Sequence, residues 1–220
     1  MAVTGTLSDR YKYELAKAGI DLATDSLKII LMRNGFTFDK RIHGLYANVM
    51  GSIIRSDISF VSSGKHILTS GGSFITAGFV VGGKITVSGS ASNNTTFTVV
   101  TVAATDMTVS ESVTDEGAGA TDTIVGADEL ATLYGYVRNT KVLTTPVLTE
   151  DNTTNDRAEL TCDDPVWTAS GGSIGPTPGA MIFDDTVTEK TVIGYLDFGG
   201  NQTAASGSTF TISAIKVRTS

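Results

Sequence analysis

The feature that most constrains the fold is a set of short segments in which apolar and polar residues alternate. Apolar side chains at every second position line one face of a strand, whereas a helix needs steps of three and four. Most of these segments are closed by Gly, Asn, Asp or Ser, which favour turns. Many short strands separated by turns are typical of β-sandwiches and β-barrels. The clearest examples are Ile85-Thr-Val87-Ser, Phe97-Thr-Val99, Met107-Thr-Val109 and Phe210-Thr-Ile212.

Two heavier apolar runs predict strands of a different kind. Lys28-Ile-Ile-Leu-Met32 is a compact apolar run that ends at the turn signal Arg33-Asn34-Gly35. The run Thr191-Val-Ile193-Gly-Tyr195-Leu-Asp-Phe198 is longer. A continuous apolar run predicts a strand that is buried on both faces.

Only the beginning of the chain has a helical pattern. Between residues 7 and 18, Leu7, Tyr11, Leu15 and Ala18 recur at steps of three and four. Ser8 or Asp9 is a suitable N-cap and Gly19 a suitable stop. A helix of this length needs a partner surface to be stable. We expect residues 1–26 to form an N-terminal arm that docks on a partner protein.

Composition divides the remaining chain into two parts. Residues 52–126 are rich in Gly, Ser and Thr, whereas residues 27–51 and 127–220 contain most of the tyrosines, the single tryptophan and all four prolines. We therefore predict a mainly β protein, with a β-sandwich or jelly-roll-like body from residues 27–51 and 127–220. Residues 52–126 are predicted to be an inserted small β-barrel-like domain. Its expected core is Phe79, Ile85, Val87, Phe97, Val99, Val102, Met107 and Val109.

Charge and hydropathy argue against several classes of function. The formal net charge is -7, which disfavours general binding to nucleic-acid phosphates. The longest apolar runs are a few residues, far below the roughly 20 needed to cross a bilayer. The N-terminus lacks a basic segment followed by an apolar stretch, so we expect no secretory signal peptide. We expect neither nucleic acid nor membrane as a partner.

The cysteine and the two histidines give no assignable chemistry. The single cysteine, Cys162, cannot form an internal disulfide and supplies no cysteine pair for zinc. We expect it to be a small buried thiol on a strand, in a chain kept in a reducing compartment or without need of cross-links. His43 and His66 share no metal-ligand spacing. His43 is expected to be a histidine of a loop or strand edge.

Two glycine motifs resemble catalytic sequences but lack essential parts. Gly78-Phe-Val-Val-Gly-Gly83-Lys84 has the spacing of a phosphate-binding loop, but Ile85 stands where Ser or Thr should hold Mg²⁺, and a strand pattern follows. Gly171-Gly-Ser173-Ile-Gly175 matches a nucleophile elbow. A triad of that kind needs a later histidine, and none follows His66. We interpret both as turns or loops.

Three acidic pairs are the remaining candidates for a site. Asp163-Asp164, Asp184-Asp185 and Glu150-Asp151 could supply oxygen ligands to Ca²⁺, but none has the spaced ligands and glycine of a calcium loop. We expect solvated loop ends or turn caps. No catalytic, cofactor-binding or metal-binding residue is assigned, no cofactor is expected, and we expect no enzymatic activity.

The two parts of the chain contain motifs in a fixed order. The flanking motifs are Lys28-Ile-Ile-Leu-Met, Phe36-Thr-Phe-Asp39, His43-Gly-Leu-Tyr46, Glu129-Leu-Ala-Thr, Gly135-Tyr136-Val-Arg-Asn-Thr-Lys-Val-Leu143, Asp164-Pro-Val-Trp167, Gly179-Ala-Met-Ile-Phe-Asp-Asp185, Ile193-Gly-Tyr-Leu-Asp-Phe-Gly-Gly200 and Thr209-Phe-Thr-Ile212. The inserted motifs are Phe74-Ile-Thr-Ala-Gly-Phe79, Lys84-Ile-Thr-Val-Ser-Gly89, Asn93-Asn-Thr-Thr-Phe97 and Met107-Thr-Val-Ser-Glu111. Taken together, the flanking motifs resemble a family of tailed-bacteriophage structural proteins, in which the Tyr46 region runs almost directly into Glu-Leu-Ala. The inserted stretch is similar to a small β module that recurs in phage virion proteins. One departure is Thr132-Leu-Tyr134, where the family tends to have a Gly-Asn-rich turn.

This resemblance implies a structural protein of the virion, made in the cytoplasm of the bacterial host. The leading expectation is a capsid decoration or cement protein that binds the major capsid protein on the outside of the head and bridges capsomers. It would associate as a homo-oligomer, with a trimer as the expected form. The alternative is a tail, neck or fibre component involved in host attachment. A carbohydrate-active enzyme or esterase is a third class, without an assignable site.

Overall fold

The computed structural model describes residues 4–151 and 157–219. These residues are mainly antiparallel β-strands with two helices, which confirms the predicted mainly β fold with a short helix near the N-terminus. Contacts divide the chain into unit 1, Met1–Gly44 with Leu130–Ser220, and unit 2, Leu45–Glu129. Unit 1 contains β1 Thr4–Leu7, α1 Asp9–Ala16, β2 Leu27–Leu31, β10 Val147–Asp151, β11 Arg157–Thr161, β12 Val166–Thr168, β13 Ile174–Asp184, β14 Val192–Ala204, β15 Thr209–Thr211 and β16 Lys216–Thr219. Unit 2 contains α2 Ala47–Met50, β3 Ser52–Arg55, β4 Ile58–Val61, β5 His66–Thr69, β6 Lys84–Ser88, β7 Thr96–Val102, β8 Asp106–Val109 and β9 Asp122–Gly126.

Unit 2 extends beyond the predicted insertion 52–126 at both ends. Hydrogen bonds attach the added residues to the unit: the backbone N–H of Gly126 donates to the carbonyl of Gly51 at 2.7 Å. The Tyr46 hydroxyl donates to a carboxylate oxygen of Glu129 at 3.1 Å. Composition could not locate these contacts, since they join segments that resemble the flanks in residue content.

The body of unit 1 is built on a four-stranded sheet with the order β1-β14-β13-β2. The long run at residues 191–198 lies in β14, where Val192 to Leu196 are all buried, as expected for a strand covered on both faces. A three-stranded sheet, β10-β11-β16, and a two-stranded sheet, β12-β15, complete the unit. One hydrophobic core, which contains Trp167, joins side chains from these sheets and from α1.

The N-terminal segment is an integral part of unit 1, and the prediction of a separate arm is corrected by its pairing. Strand β1 pairs antiparallel with β14 along its whole length. Helix α1 is shorter than the predicted 7–18, and its N-cap is Ser8, whose Oγ accepts from the backbone N–H of Tyr11 at 3.0 Å. Tyr11 is fully buried. The apolar face of the helix therefore finds its partner surface within its own unit.

The helix ends before the predicted stop at Gly19. Ala18 has a φ of +54°, so the left-handed residue that ends the helix is Ala18. The backbone N–H of Gly19 then donates to the carbonyl of Glu14 at 2.9 Å, which satisfies one of the last carbonyls of the helix.

Unit 2 is a seven-stranded sheet with the order β3-β9-β6-β7-β8-β5-β4. Its two edge strands, β3 and β4, are joined by Ser56 and Asp57 alone. A link of this length spans at most about 11 Å between Cα atoms, so the sheet has to curl until its two edges lie close together. The inside of this curled sheet holds its own core, which includes all eight residues predicted to fill it, with Val102 only partly buried.

The turn at Tyr134-Gly135 is a tight hairpin. Leu133 and Tyr136 exchange two backbone hydrogen bonds of 3.1 and 3.0 Å. The two residues between them, Tyr134 and Gly135, have φ values of +55° and +95°. Positive φ at both central positions is the geometry of a type I′ turn, which glycine adopts without steric cost.

Candidate functional site

The described residues were searched for a metal site and for a helix that could span a membrane. Across residues 4–151 and 157–219, no group of three or more His, Cys, Asp or Glu side chains is arranged to hold a metal ion. None of the helices in this part of the chain is long and apolar enough to cross a membrane.

The segment with phosphate-loop spacing forms a turn into a strand. The backbone N–H of Gly83 donates to the carbonyl of Val80 at 3.1 Å, and strand β6 begins at Lys84. The Lys84 ammonium contacts the hydroxyl of Thr98 and lies 3.3 Å from Glu111 Oε1. This lysine is therefore engaged within its own sheet, and no helix N-terminus follows to face a phosphate.

The segment with nucleophile-elbow spacing also leads into a strand. Ser173 immediately precedes β13, so the helix that follows a nucleophile in hydrolases of that kind is replaced by a strand. Gly171 has a φ of +74°, consistent with a glycine turn.

The acidic pairs are held by local hydrogen bonds and ion pairs. Asp163 Oδ2 accepts from the hydroxyl of Thr145 at 2.5 Å, and Asp164 Oδ1 accepts from the backbone N–H of Ala214 at 2.9 Å. Asp185 forms ion pairs with Lys28 at 2.6 Å and with Lys190 at 2.7 Å. Asp184 is fully buried, and burial raises its pKa. Glu150 lies on β10.

His43 is buried in unit 1 and has a structural environment. Its Nδ1 accepts from the backbone N–H of Asp39 at 2.9 Å, and its ring lies 5.0 Å from the ring of Phe36 and 5.7 Å from that of Phe38. Burial lowers the pKa of His43 despite the opposing effect of Asp39. A neutral imidazole in this setting fixes the 39–43 loop.

His66 and Cys162 are the two remaining residues with reactive side chains. His66 Nδ1 lies 2.8 Å from Asp106 Oδ1 on the surface of unit 2. Burial, together with the charges of Asp163 and Asp164, raises the pKa of the Cys162 thiol to about 11. Because the thiolate is the nucleophilic form, this cysteine is poorly suited to catalysis at neutral pH.

The best candidate for a binding site is a cleft along strand β1, here called the β1 cleft. It has a volume of about 630 Å³ and is lined by Gly5, Thr6, Leu7, Lys12, Leu15, Lys40 and Arg218. Leu7 and Leu15 are partly buried and pack against the core of unit 1, so they give the cleft an apolar floor. The three basic residues are substantially exposed and form its rim.

The β1 cleft lies beside a sheet edge that pairs with no other strand among the described residues. Strand β1 is the terminal strand of its sheet, and its partners follow the register Thr4↔Asp197 to Leu7↔Gly194. The backbone N–H of Ser8 donates to the carbonyl of Ile193, which continues this register as a hydrogen-bonded pair. Hydrogen-bonded pairs alternate in an antiparallel ladder, so the backbone groups of Gly5 and Leu7 face away from β14. Both residues also line the cleft.

The charge around the β1 cleft is opposite to that of the whole chain. Asp9 Oδ1 is the only carboxylate oxygen near both Lys12 Nζ, at 3.9 Å, and Lys40 Nζ, at 4.0 Å, among the described residues. Glu159 likewise pairs with both Lys216, at 2.7 Å, and Arg218, at 2.8 Å. The lining thus brings three basic side chains, Lys12, Lys40 and Arg218, together in a chain whose formal net charge is -7.

An unpaired strand edge beside an apolar floor and a basic rim can bind an extended peptide segment. The backbone groups supply hydrogen bonds, and the floor and rim select apolar and acidic side chains. Sequence analysis missed this site because Lys12, Lys40 and Arg218 are far apart in the chain. A short apolar-polar strand at residues 4–7, just before the helix, is the one local signal that could have indicated it.

Comparisons with known proteins give no further assignment. A scan against protein-family models and searches of curated proteins and of solved structures return no match for this chain. Its function is therefore inferred from its own residues and geometry.

Proposed function

We propose that the chain is a structural protein of a bacteriophage virion that works by binding other protein subunits. The observation that carries the proposal is the β1 cleft, a free strand edge with a positive rim on an otherwise acidic chain. Natural proteins cover or blunt strand edges that have no partner. An edge left open beside an apolar floor is well suited to contact with another subunit.

Within the virion, the role that we propose is decoration of the head. The chain binds the outer face of the major capsid protein and bridges neighbouring capsomers, as the motif resemblance to tailed-phage structural proteins implies. Symmetric shells repeat each contact many times, so weak individual contacts are sufficient for stable attachment. Self-association as a homo-oligomer, with a trimer as the expected form, would multiply the contacts further.

The second candidate is a tail, neck or fibre component. The observation that favours it is unit 2, which has its own seven-stranded sheet and its own hydrophobic core. A compact accessory unit of this kind is suited to act as a spacer or a recognition module.

Location on the particle tests the proposal and separates the two roles. Purified particles would be examined by quantitative mass spectrometry and by immunogold electron microscopy with antibodies against unit 2. For decoration we expect label over the whole head and a copy number comparable with that of the major capsid protein. A few copies confined to the tail would replace decoration by the second candidate, and absence from washed particles would refute both.

The enzymatic alternative is tested separately with purified protein. Incubation with a panel of glycans and esters should leave the substrates unchanged. Turnover that survives further purification would contradict a purely structural role.

A further inference from the structure

We propose that strand β10 of a second copy adds to the free edge of strand β1, so that copies join head to tail through unit 1. This inference deepens the proposed function by naming the contact through which the protein self-associates. The contact can be tested independently of the virion, because self-association can be measured on the purified chain alone.

The acceptor side of this interface is the β1 cleft. The outward backbone groups of Gly5 and Leu7 provide donors and acceptors at the spacing of a sheet ladder. The cleft of about 630 Å³ beside them gives room for the side chains of an added strand. The partly buried side chains of Leu7 and Leu15 would contact an apolar residue of that strand.

The donor side is strand β10, which is also the terminal strand of its sheet. Its first two side chains are apolar but exposed, with exposed fractions of 48% for Val147 and 45% for Leu148. Its five residues, Val-Leu-Thr-Glu-Asp, are enough to pair along the four residues of β1. Exposed apolar side chains on an edge strand are a liability that association removes.

Charge complementarity selects β10 as the occupant. Strand β10 carries Glu150 near its C-terminal end, whereas the rim of the cleft carries Lys12, Lys40 and Arg218. The ammonium groups of Lys12 and Lys40 both lie next to Asp9, just beyond the C-terminal end of β1. Because Glu150 lies near the C-terminal end of β10, pairing of these charges requires the two strands to run parallel.

The two sides of the contact are different surfaces, and this determines its symmetry. Each copy carries one acceptor edge and one donor edge, so the interface is heterologous, and such interfaces form rings when the rotation closes. Two copies that each carry a formal net charge of -7 repel each other at long range. At physiological salt this repulsion is screened beyond about 8 Å, whereas the contacts in the cleft are shorter.

The first test measures the mass of the full-length purified chain by sedimentation and light scattering. The wild type should form an oligomer of defined mass. Gly5→Pro removes an outward N–H group and should weaken association by about tenfold or more, whereas the matched control Gly5→Ala keeps that donor and should associate normally. A monomeric wild type, or a Gly5→Pro variant that associates like Gly5→Ala, would overturn the proposal.

A second set of variants tests the interface without placing a proline in β1. The double variant Lys12→Glu with Lys40→Glu should weaken association, and so should Glu150→Lys alone. Combining all three reverses the charges on both faces and should restore at least part of the association. Val137→Lys, which alters an exposed side chain outside β1 and β10, is the control and should have no effect. Failure of the charge reversal to restore association would refute the pairing of β10 with the cleft.

Mixing two blocked variants distinguishes a head-to-tail contact from other modes. Gly5→Pro retains an intact β10, and a Leu148→Lys, Glu150→Lys variant retains an intact β1 cleft. Each should be monomeric alone, and an equimolar mixture should form a dimer and nothing larger. A mixture that stays monomeric contradicts the interface, while the location of the protein on particles would still be decided independently by labelling.

Discussion

The replacement of Tyr11 by alanine tests whether the N-terminal helix belongs to the body of unit 1. The Tyr11 side chain is fully buried and belongs to the same core cluster as Trp167. Truncation of a buried aromatic side chain costs about 3–5 kcal/mol of unfolding free energy, because the lost contacts leave a cavity. That is a large part of the roughly 5–15 kcal/mol that stabilises a typical protein.

The single tryptophan gives an assay that reports on unit 1. Trp167 is buried, so its fluorescence should change when the core of unit 1 unfolds. At a slope of about 2 kcal/mol per molar urea, a loss of about 4 kcal/mol lowers the midpoint by about 2 M. Urea titrations followed at Trp167 should therefore show a large shift for Tyr11→Ala.

Tyr11→Phe is the matched control, because it keeps the ring and removes only the hydroxyl. The Tyr11 hydroxyl is buried without a hydrogen-bond partner among the described residues, and burial raises its pKa to about 12. Removal of an unsatisfied polar group should leave stability unchanged or raise it by about 1 kcal/mol. If Tyr11→Ala shifted the Trp167 midpoint no more than Tyr11→Phe does, the helix would be a loosely attached arm, contrary to its observed packing.

Three further predictions concern other parts of the molecule. Burial lowers the pKa of His43, so below about pH 6.5 the unfolded chain binds a proton more readily than the folded chain does. The free energy of unfolding should therefore fall as the pH is lowered from about 7 to 5. His43→Gln should flatten this dependence in urea titrations. Burial raises the pKa of Asp184, so the folded protein loses stability as the pH rises and this carboxyl group becomes charged. Asp184→Asn should therefore raise the melting temperature at pH 7. A gain that persists unchanged at pH 3 would contradict this cause. In unit 2, Phe97→Ala should cost about 3–5 kcal/mol, whereas Val100→Ala, at an exposed position of the same strand, should change stability by about 0.5 kcal/mol or less. Equal losses for these two in calorimetry would show that Phe97 is not a core residue.

The order of apolar and polar residues predicted secondary structure and burial wherever both depend on a single segment of the chain. The alternation at Ile85 and Val87 predicted side chains that are buried in β6. Of the two N-caps that the sequence offered, Ser8 and Asp9, the structure uses Ser8. The apolar run around Tyr195 predicted a strand buried on both faces. In each case the side chain and the backbone preference that determine the structure lie within a few residues of each other.

The alternation of apolar and polar residues thus determined the fold class, and local sequence determined the positions of many strands. Tertiary structure alone decided which strands became edges and which charges came together. Residues 1–26 were expected to form an arm, yet β1 joins β14, which lies almost the whole length of the chain away. Likewise, Lys12, Lys40 and Arg218 line one cleft although no sequence window contains all three. The physical reason is that a strand edge and a charge cluster are properties of long-range pairing, which sequence periodicity does not encode.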